Sequence, residues 1–204
     1  MTFSFNRPLF KAIASRDRKE VARLLSKAPE LATQPAVIGA TRQEAKEYFF
    51  PEIGHYAYEG DTPLHFAAAA YDVDVARDLI ALGAPVHARN RRGAEPIHYA
   101  ADGDPDSDRW NPEAQFAVIE FLIKAGADPN SIDKSGVAPL HRAVRTRSAA
   151  AVRVLLLNGG DAQLKNGSGS TPFHLANHNT GRSGSGSEAA KAQQQEIIRL
   201  LQAR

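Results

Sequence analysis

The sequence has no cysteine, one methionine and one tryptophan among 204 residues. Without thiols there is no disulfide framework, no thiolate zinc site and no cysteine nucleophile, so the fold must rest on its core. A reducing compartment suits such a chain. An excess of charge of one sign is also missing. The 25 Lys and Arg against 23 Asp and Glu leave +2, too little to imply nucleic acid, so an electrostatic partner has to be argued from local clusters. Nor is there a long hydrophobic run. Met1 to Glu20 is broken by Arg7, Lys11, Arg16, Asp17, Arg18, Lys19 and Glu20, so neither a signal peptide nor a membrane span is read there. The cytoplasm is the expected location, with no membrane partner. An apolar share of 43% excludes disordered and fibrous classes and suffices for a sizeable core.

What is present is a repeat. Thr62-Pro63-Leu64-His65, Glu95-Pro96-Ile97-His98, Ala138-Pro139-Leu140-His141 and Thr171-Pro172-Phe173-His174 share one four-residue pattern, and their prolines leave two equal intervals on either side of a longer one. Gly83-Ala84, Gly126-Ala127 and Gly159-Gly160 recur after the first three prolines, equally far on in the first and third units and farther in the second. Ten extra residues therefore lie between Pro96 and Gly126. Polar segments run from Arg89 to Glu95, Ile132 to Ala138 and Lys165 to Ser170.

These landmarks resemble the ankyrin repeat, most closely in Ala125-Gly126-Ala127-Asp128-Pro129-Asn130. Weaker terminal copies extend the match. Leu9, Ala12, Leu24 and Leu25 repeat the spacing of Leu64, Ala67, Leu79 and Ile80, while Ile197, Ile198, Leu200 and Leu201 repeat Val118, Ile119, Phe121 and Leu122. The resemblance implies an all-α ankyrin-repeat solenoid of about five helix-turn-helix units with hairpin loops and three insertions. One domain would span 1–204: a cap repeat over 1–60, repeats over 61–93, 94–136 and 137–169, and a second cap over 170–204. The physics agrees with it, because each unit reads as two short amphipathic helices that can bury their apolar faces only against neighbours. Proline in the first turn gives up an N–H that had no partner, and glycine accepts the left-handed end of the second helix.

Three insertions interrupt the pattern. The stretch from Leu9 to Leu64 is well over one period long, and the excess falls after Leu25. In it Thr41-Arg42-Gln43-Glu44 reads as a capping box that starts a short helix, stopped by Pro51 near Phe50. Tyr48, Phe49, Phe50, Tyr56 and Tyr58 concentrate five aromatics here, either as a binding surface or folded back on the repeats, and the two readings overlap. The second insertion orders Asp102, Asp104, Asp106, Asp108 and Glu113 as in a calcium loop between helices, with Asn111-Pro112 starting the second helix. Ser107 replaces the turn glycine, Arg109 stands where an apolar residue is usual, and Pro105 and Pro112 stiffen the chain. A solvated polar loop is therefore expected, with calcium as the lesser candidate. The third insertion, Gly181 to Ser187, has the composition of a flexible linker.

Candidate functional residues follow. By the resemblance His65, His98, His141 and His174 are structural, bonding backbone groups of the neighbouring hairpin. His174 and His178 share a helix face but lack a third metal ligand nearby in sequence. Arg89, Arg91 and Arg92 in one hairpin, with Arg142, Arg145 and Arg147 on or just past the next first helix, either converge on a basic patch or pair with Glu95, Asp102 or Asp133. Arg142 departs from the family, where the residue after the histidine is usually apolar. The resemblance implies a non-enzymatic, monomeric module that binds a protein partner and needs no cofactor, and the clustered arginines make an acidic partner surface the expectation. Its recognition positions carry over to Tyr58, Glu59 and Asp61, to Arg91, Arg92 and Ala94, to Lys134, Ser135 and Val137, and to Arg145 and Thr146, with Tyr56 added from the aromatic insertion. The competing reading is a ligand-binding or catalytic pocket between that insertion and the concave face, with His55, Tyr56 and Arg145 as its polar groups. No acid–base pair or nucleophile set at informative spacing supports catalysis.

Overall fold

A computed structural model of the chain describes residues 7–178 and 187–203. The Gly/Ser stretch read as a linker falls, up to its last residue, outside the described residues.

Five helix pairs succeed one another among the described residues: α1 (Arg7–Ala14) with α2 (Arg18–Lys27), α3 (Pro63–Ala69) with α4 (Val73–Ala81), α5 (Pro96–Ala100) with α6 (Pro112–Lys124), α7 (Pro139–Arg145) with α8 (Ala149–Leu157), and α9 (Pro172–Asn177) with α10 (Glu188–Gln202). Each pair is too small to fold alone; first helices pack on first helices and, from α4 onward, second helices on second. Leu64, Leu79, Ile97, Ile119, Leu122, Leu140 and Leu155 lie fully buried along the resulting core.

The local signals act as their chemistry requires. A proline opens α3, α5, α7 and α9 at the first helical position. Side chains of Asp17, Asp72, Asn111, Ser148 and Ser187 accept amide N–H groups at the starts of the second helices. Gly83, Gly126 and Gly159 follow second helices at φ of 91°, 110° and 89°, where a side chain would be strained.

Between pairs the chain makes a hairpin whose first polar residue holds it closed. Asn90 Oδ1 accepts from the amides of Arg92 (2.9 Å) and Ala94 (3.1 Å), Asp133 Oδ1 from Ser135 (2.8 Å) and Val137 (3.1 Å), and Asn166 Oδ1 from Ser168 and Ser170 (3.0 Å each). Neighbouring hairpins join through the amides of Arg91, Lys134 and Gly167, which donate to the carbonyls of Glu59 (2.7 Å), Arg92 (3.0 Å) and Ser135 (2.9 Å). The approach is close enough that a Cβ on Gly136 would meet Gly167 N at 2.6 Å.

The three internal histidines tie this row to the helices. Nδ1 of His65, His98 and His141 accepts the N–H of Thr62, Glu95 and Ala138 at 3.0, 3.1 and 3.2 Å. Nε2 then donates to the carbonyls of Ala94, Val137 and Ser170 at 3.0, 3.1 and 3.1 Å. This pattern requires the neutral imidazole, and burial lowers all three pKa values, that of His98 to about 4. His174 differs. No hairpin follows it among the described residues, so it lies exposed and its ring stacks on His178 at 4.0 Å instead of bonding a neighbouring carbonyl.

The first insertion also departs from its expected form. The Thr41 Oγ1 bond to the Glu44 amide is present at 3.1 Å, but no helix grows from it. The chain makes one 3-10 turn over Lys46–Tyr48 and then a two-stranded antiparallel ribbon, β1 (Phe49–Phe50) against β2 (His55–Tyr56). A helix this short gains little by itself, whereas the extended form sends Phe50 inward onto Phe66, with ring centres 4.8 Å apart and edge to face. Ala36 and Ala40 bond the backbone beside the first hairpin, so the insertion lies along it.

Candidate functional site

The residue after each of the three internal repeat histidines is Phe66 in α3, Tyr99 in α5 and Arg142 in α7, and these three carry the site. The β1–β2 ribbon covers the first two. Phe50 sits on Phe66, and the His55 ring stacks on Tyr99 at 4.7 Å and 19°. Arg142 is met by the other insertion. Its guanidinium lies 2.9 Å from Asp102 and 3.5 Å from Asp133, with 14% of the side chain exposed.

Below the ribbon is a closed polar network. The fully buried Asp61 carboxylate accepts from Tyr99 Oη (2.8 Å), Asn90 Nδ2 (2.8 Å) and the Tyr58 amide (2.7 Å). Burial and the adjacent Asp61 carboxylate push the Tyr99 phenol well above its usual pKa, so it stays a neutral donor. Burial works against the Arg142 charge, yet Asp102 and Asp133 hold its pKa above the ordinary value. Burial lowers the His55 pKa, with Asp102, 3.7 Å away, opposing and Arg142 assisting.

Above the ribbon's edge the chemistry is open and cationic. Arg91 and Arg92 flank the Tyr58 ring at 5.4 and 5.1 Å, and Arg92 also donates to the Tyr58 hydroxyl at 3.1 Å. A cleft of about 170 Å³ is lined by His55, Tyr56, Tyr58, Arg92, Arg142 and Arg145 among others. A larger cavity of about 320 Å³ shares His55 and Asp102 with it and runs between the two insertions past Tyr71, Arg109 and Trp110. The two insertions hold each other here, since Arg109 donates to the Pro51 carbonyl.

A family model described as ankyrin repeats in many copies matches residues 122–176, and one described as the ankyrin repeat matches 59–91 and 92–134. The chain belongs to the ankyrin repeat family. It is similar to E3 ubiquitin-protein ligase KEG of Arabidopsis thaliana, 38% identical over 122 residues, covering 57% of this chain and 7% of that protein. It is 31% identical over 140 residues to neurogenic locus notch homolog protein 1 of Danio rerio, covering 57% and 6%. With SH3 and multiple ankyrin repeat domains protein 2 of Homo sapiens the identity is 30% over 144 residues, covering 59% and 8%. The chain thus spans only a small part of these relatives. Ankyrin repeats are generally protein–protein interaction modules and typically lack catalytic activity.

On this ankyrin frame the anticipated recognition residues divide. Tyr56, Glu59, Arg91, Arg92, Lys134, Ser135 and Arg145 are exposed, and Tyr58 is half-buried between its two arginines. Asp61, Ala94 and Val137 are buried at 0, 1 and 8% and leave the candidate set. Asp61 is spent on the Tyr99 network, while the Ala94 and Val137 carbonyls are spent on His65 and His98. Thr146 is turned inward, accepting the Gly103 amide at 3.0 Å and donating to the Arg142 carbonyl at 2.9 Å, so it anchors the second insertion. His55, Tyr56 and Arg145, the polar groups of the competing pocket, do line one cleft.

The calcium arrangement does not assemble. Asp102 is paired with Arg142 and Asp106 accepts from Ser187, and no group of three or more acidic or histidine side chains among the described residues could hold a metal ion. Asp104, Asp108 and Glu113 are exposed. No helix of the described residues is long and apolar enough to cross a membrane. The arginines also divide: Arg89 pairs with Glu95 at 2.9 Å, and Arg142 is buried structure rather than surface charge. Tyr99 is not among the candidates the sequence offers, although it shares its repeat position with Phe66 and Arg142 and is, like Arg142, a polar departure there.

Proposed function

We propose that this ankyrin domain is a non-enzymatic docking module for a protein partner with an acidic surface. The contact face is the row of hairpin tips, Glu59, Arg91, Arg92, Lys134 and Ser135, extended to Tyr56, Tyr58 and Arg145 at the rim of the cleft. One observation carries this reading: two exposed arginines clasp the Tyr58 ring, with exposed Arg145 on the same cleft wall. Aromatic and arginine side chains are the types that dominate interface energetics, and here they are held in place before any partner arrives.

The test is to recover a stoichiometric partner with the wild-type chain, purify it, and compare its binding to wild type and to Arg92→Glu combined with Arg145→Glu. The reading requires slower association in the variant and a wild-type rate that falls as salt rises, since exposed charges are screened over about 8 Å at physiological ionic strength. Unchanged rate and affinity, or a contact surface on the partner that proves basic, would remove it.

A further inference from the structure

We infer that the cleft between the β1–β2 ribbon and α7 is a carboxylate-binding site, with Arg145 and Arg92 as the guanidinium groups that grip the anion. The argument is a charge balance at named atoms. Three guanidinium groups line the cleft against one carboxylate, that of Asp102. Asp102 is engaged at 2.9 Å by Arg142, and Asp133 takes the other side of Arg142 at 3.5 Å, so this cation is neutralised within the fold. Among the described residues, Arg92 has only the neutral Tyr58 as its side-chain partner, and the Arg145 guanidinium makes no hydrogen bond or ion pair. Two forked donors are left without an anion at the mouth of a walled cleft.

The walls select the class of anion. Tyr56 and Tyr58, with ring centres 6.5 Å apart, line the cleft, and His55 is pinned by its stack on Tyr99. About 170 Å³ admits a group of the size of an acidic side chain or a short monocarboxylic acid. Asp102 on the same wall repels a second negative charge on the bound group, which favours the singly charged, planar carboxylate over a phosphate dianion. The inference deepens the docking reading by naming the chemical group recognised. It rests on that reading for the macromolecular source of the carboxylate, but its test uses no partner, so either can fail without the other.

The test is a titration of the full chain with propionate, with a capped alanine pentapeptide carrying one central glutamate, and with inorganic phosphate, followed by the backbone amide signals of Gly54, His55 and Arg145. At least one carboxylate probe should shift these signals saturably, and Arg145→Gln or Arg92→Gln should weaken it about ten-fold, the loss of one charge-assisted contact. Tighter binding of the peptide identifies the source as a partner's acidic side chain, and tighter binding of propionate identifies it as a free acid. Both residues are exposed, and the wild-type titration decides even if a variant misfolds. The inference is overturned if neither carboxylate saturates, if both variants bind as wild type does, or if phosphate binds as tightly as the carboxylates.

Discussion

His141 and His174 sit in the same motif one repeat apart, and their surroundings are opposite. His141 is fully buried between the Ala138 amide and the Ser170 carbonyl of the next hairpin, while His174 is exposed against His178. The four-residue motif starts both helices. What turns the histidine into a structural bond is the hairpin of the following repeat. The same contrast separates the repeat interior from the cleft. Interior groups such as Asp61 have every partner supplied within the stack, whereas Arg92 and Arg145 at the cleft remain available because the insertions bring them a wall whose one carboxylate, Asp102, is already paired with Arg142.

The sharpest break of that contrast is Asp61→Ala. Losing the buried carboxylate removes the acceptor of Tyr99 Oη and the Tyr58 amide and one of the two acceptors of Asn90 Nδ2, and should lower stability by about 4 kcal/mol in a denaturant titration. Acid should attack the same interior next. The folded pKa of His98 lies near 4, below the ordinary 6.5, so between these values the unfolded chain binds the extra proton. Its contribution is complete above pH 6.5 and is lost as pH falls towards 4, about 3 kcal/mol in all, with His65 and His141 acting in the same direction. Urea midpoints at pH 7, 5.5 and 4.5 should therefore fall in that order.

A paired substitution tests the histidine contrast itself. His141→Ala should cost about 2 kcal/mol through two orphaned backbone groups, and His174→Ala less than about 0.5 kcal/mol. Equal losses would mean that the motif, not the neighbour, makes the bond. The smallest effect on stability belongs to Arg92→Glu with Arg145→Glu, which should leave the melting curve within about 0.5 kcal/mol of wild type while slowing partner association about ten-fold at low salt.

The repeats are legible because their signals are local. Proline at a first turn, a capping side chain and a glycine after the second helix act over a short stretch of chain, and their regular recurrence shows that each unit must lean on the next. The capping box at Thr41 misleads for the complementary reason. Its bond forms, but extending Phe50 onto Phe66 gains a contact with the next helix pair, beyond what a local motif reports. Asp61, Ala94 and Val137 occupy positions that present outward by analogy, and here they are buried by the groups they bond. The second insertion reads as a polar loop, and its lesser calcium candidacy lasts only while Asp102 is free, whereas Arg142, 40 residues on, takes it.

By itself, then, the sequence determined the repeat, the helix ends, the hairpins and the places where the period breaks, because these depend on backbone geometry and short-range hydrogen bonds. Only the tertiary structure decided which polar residues are spent and which remain. Tyr99 reaches Asp61 across 38 residues and Arg142 reaches Asp102 across 40, so whether a charge is neutralised depends on what stacking places beside it. Arg92 and Arg145 stay free of an anion because Asp102, the one carboxylate that lines their cleft, is taken by Arg142.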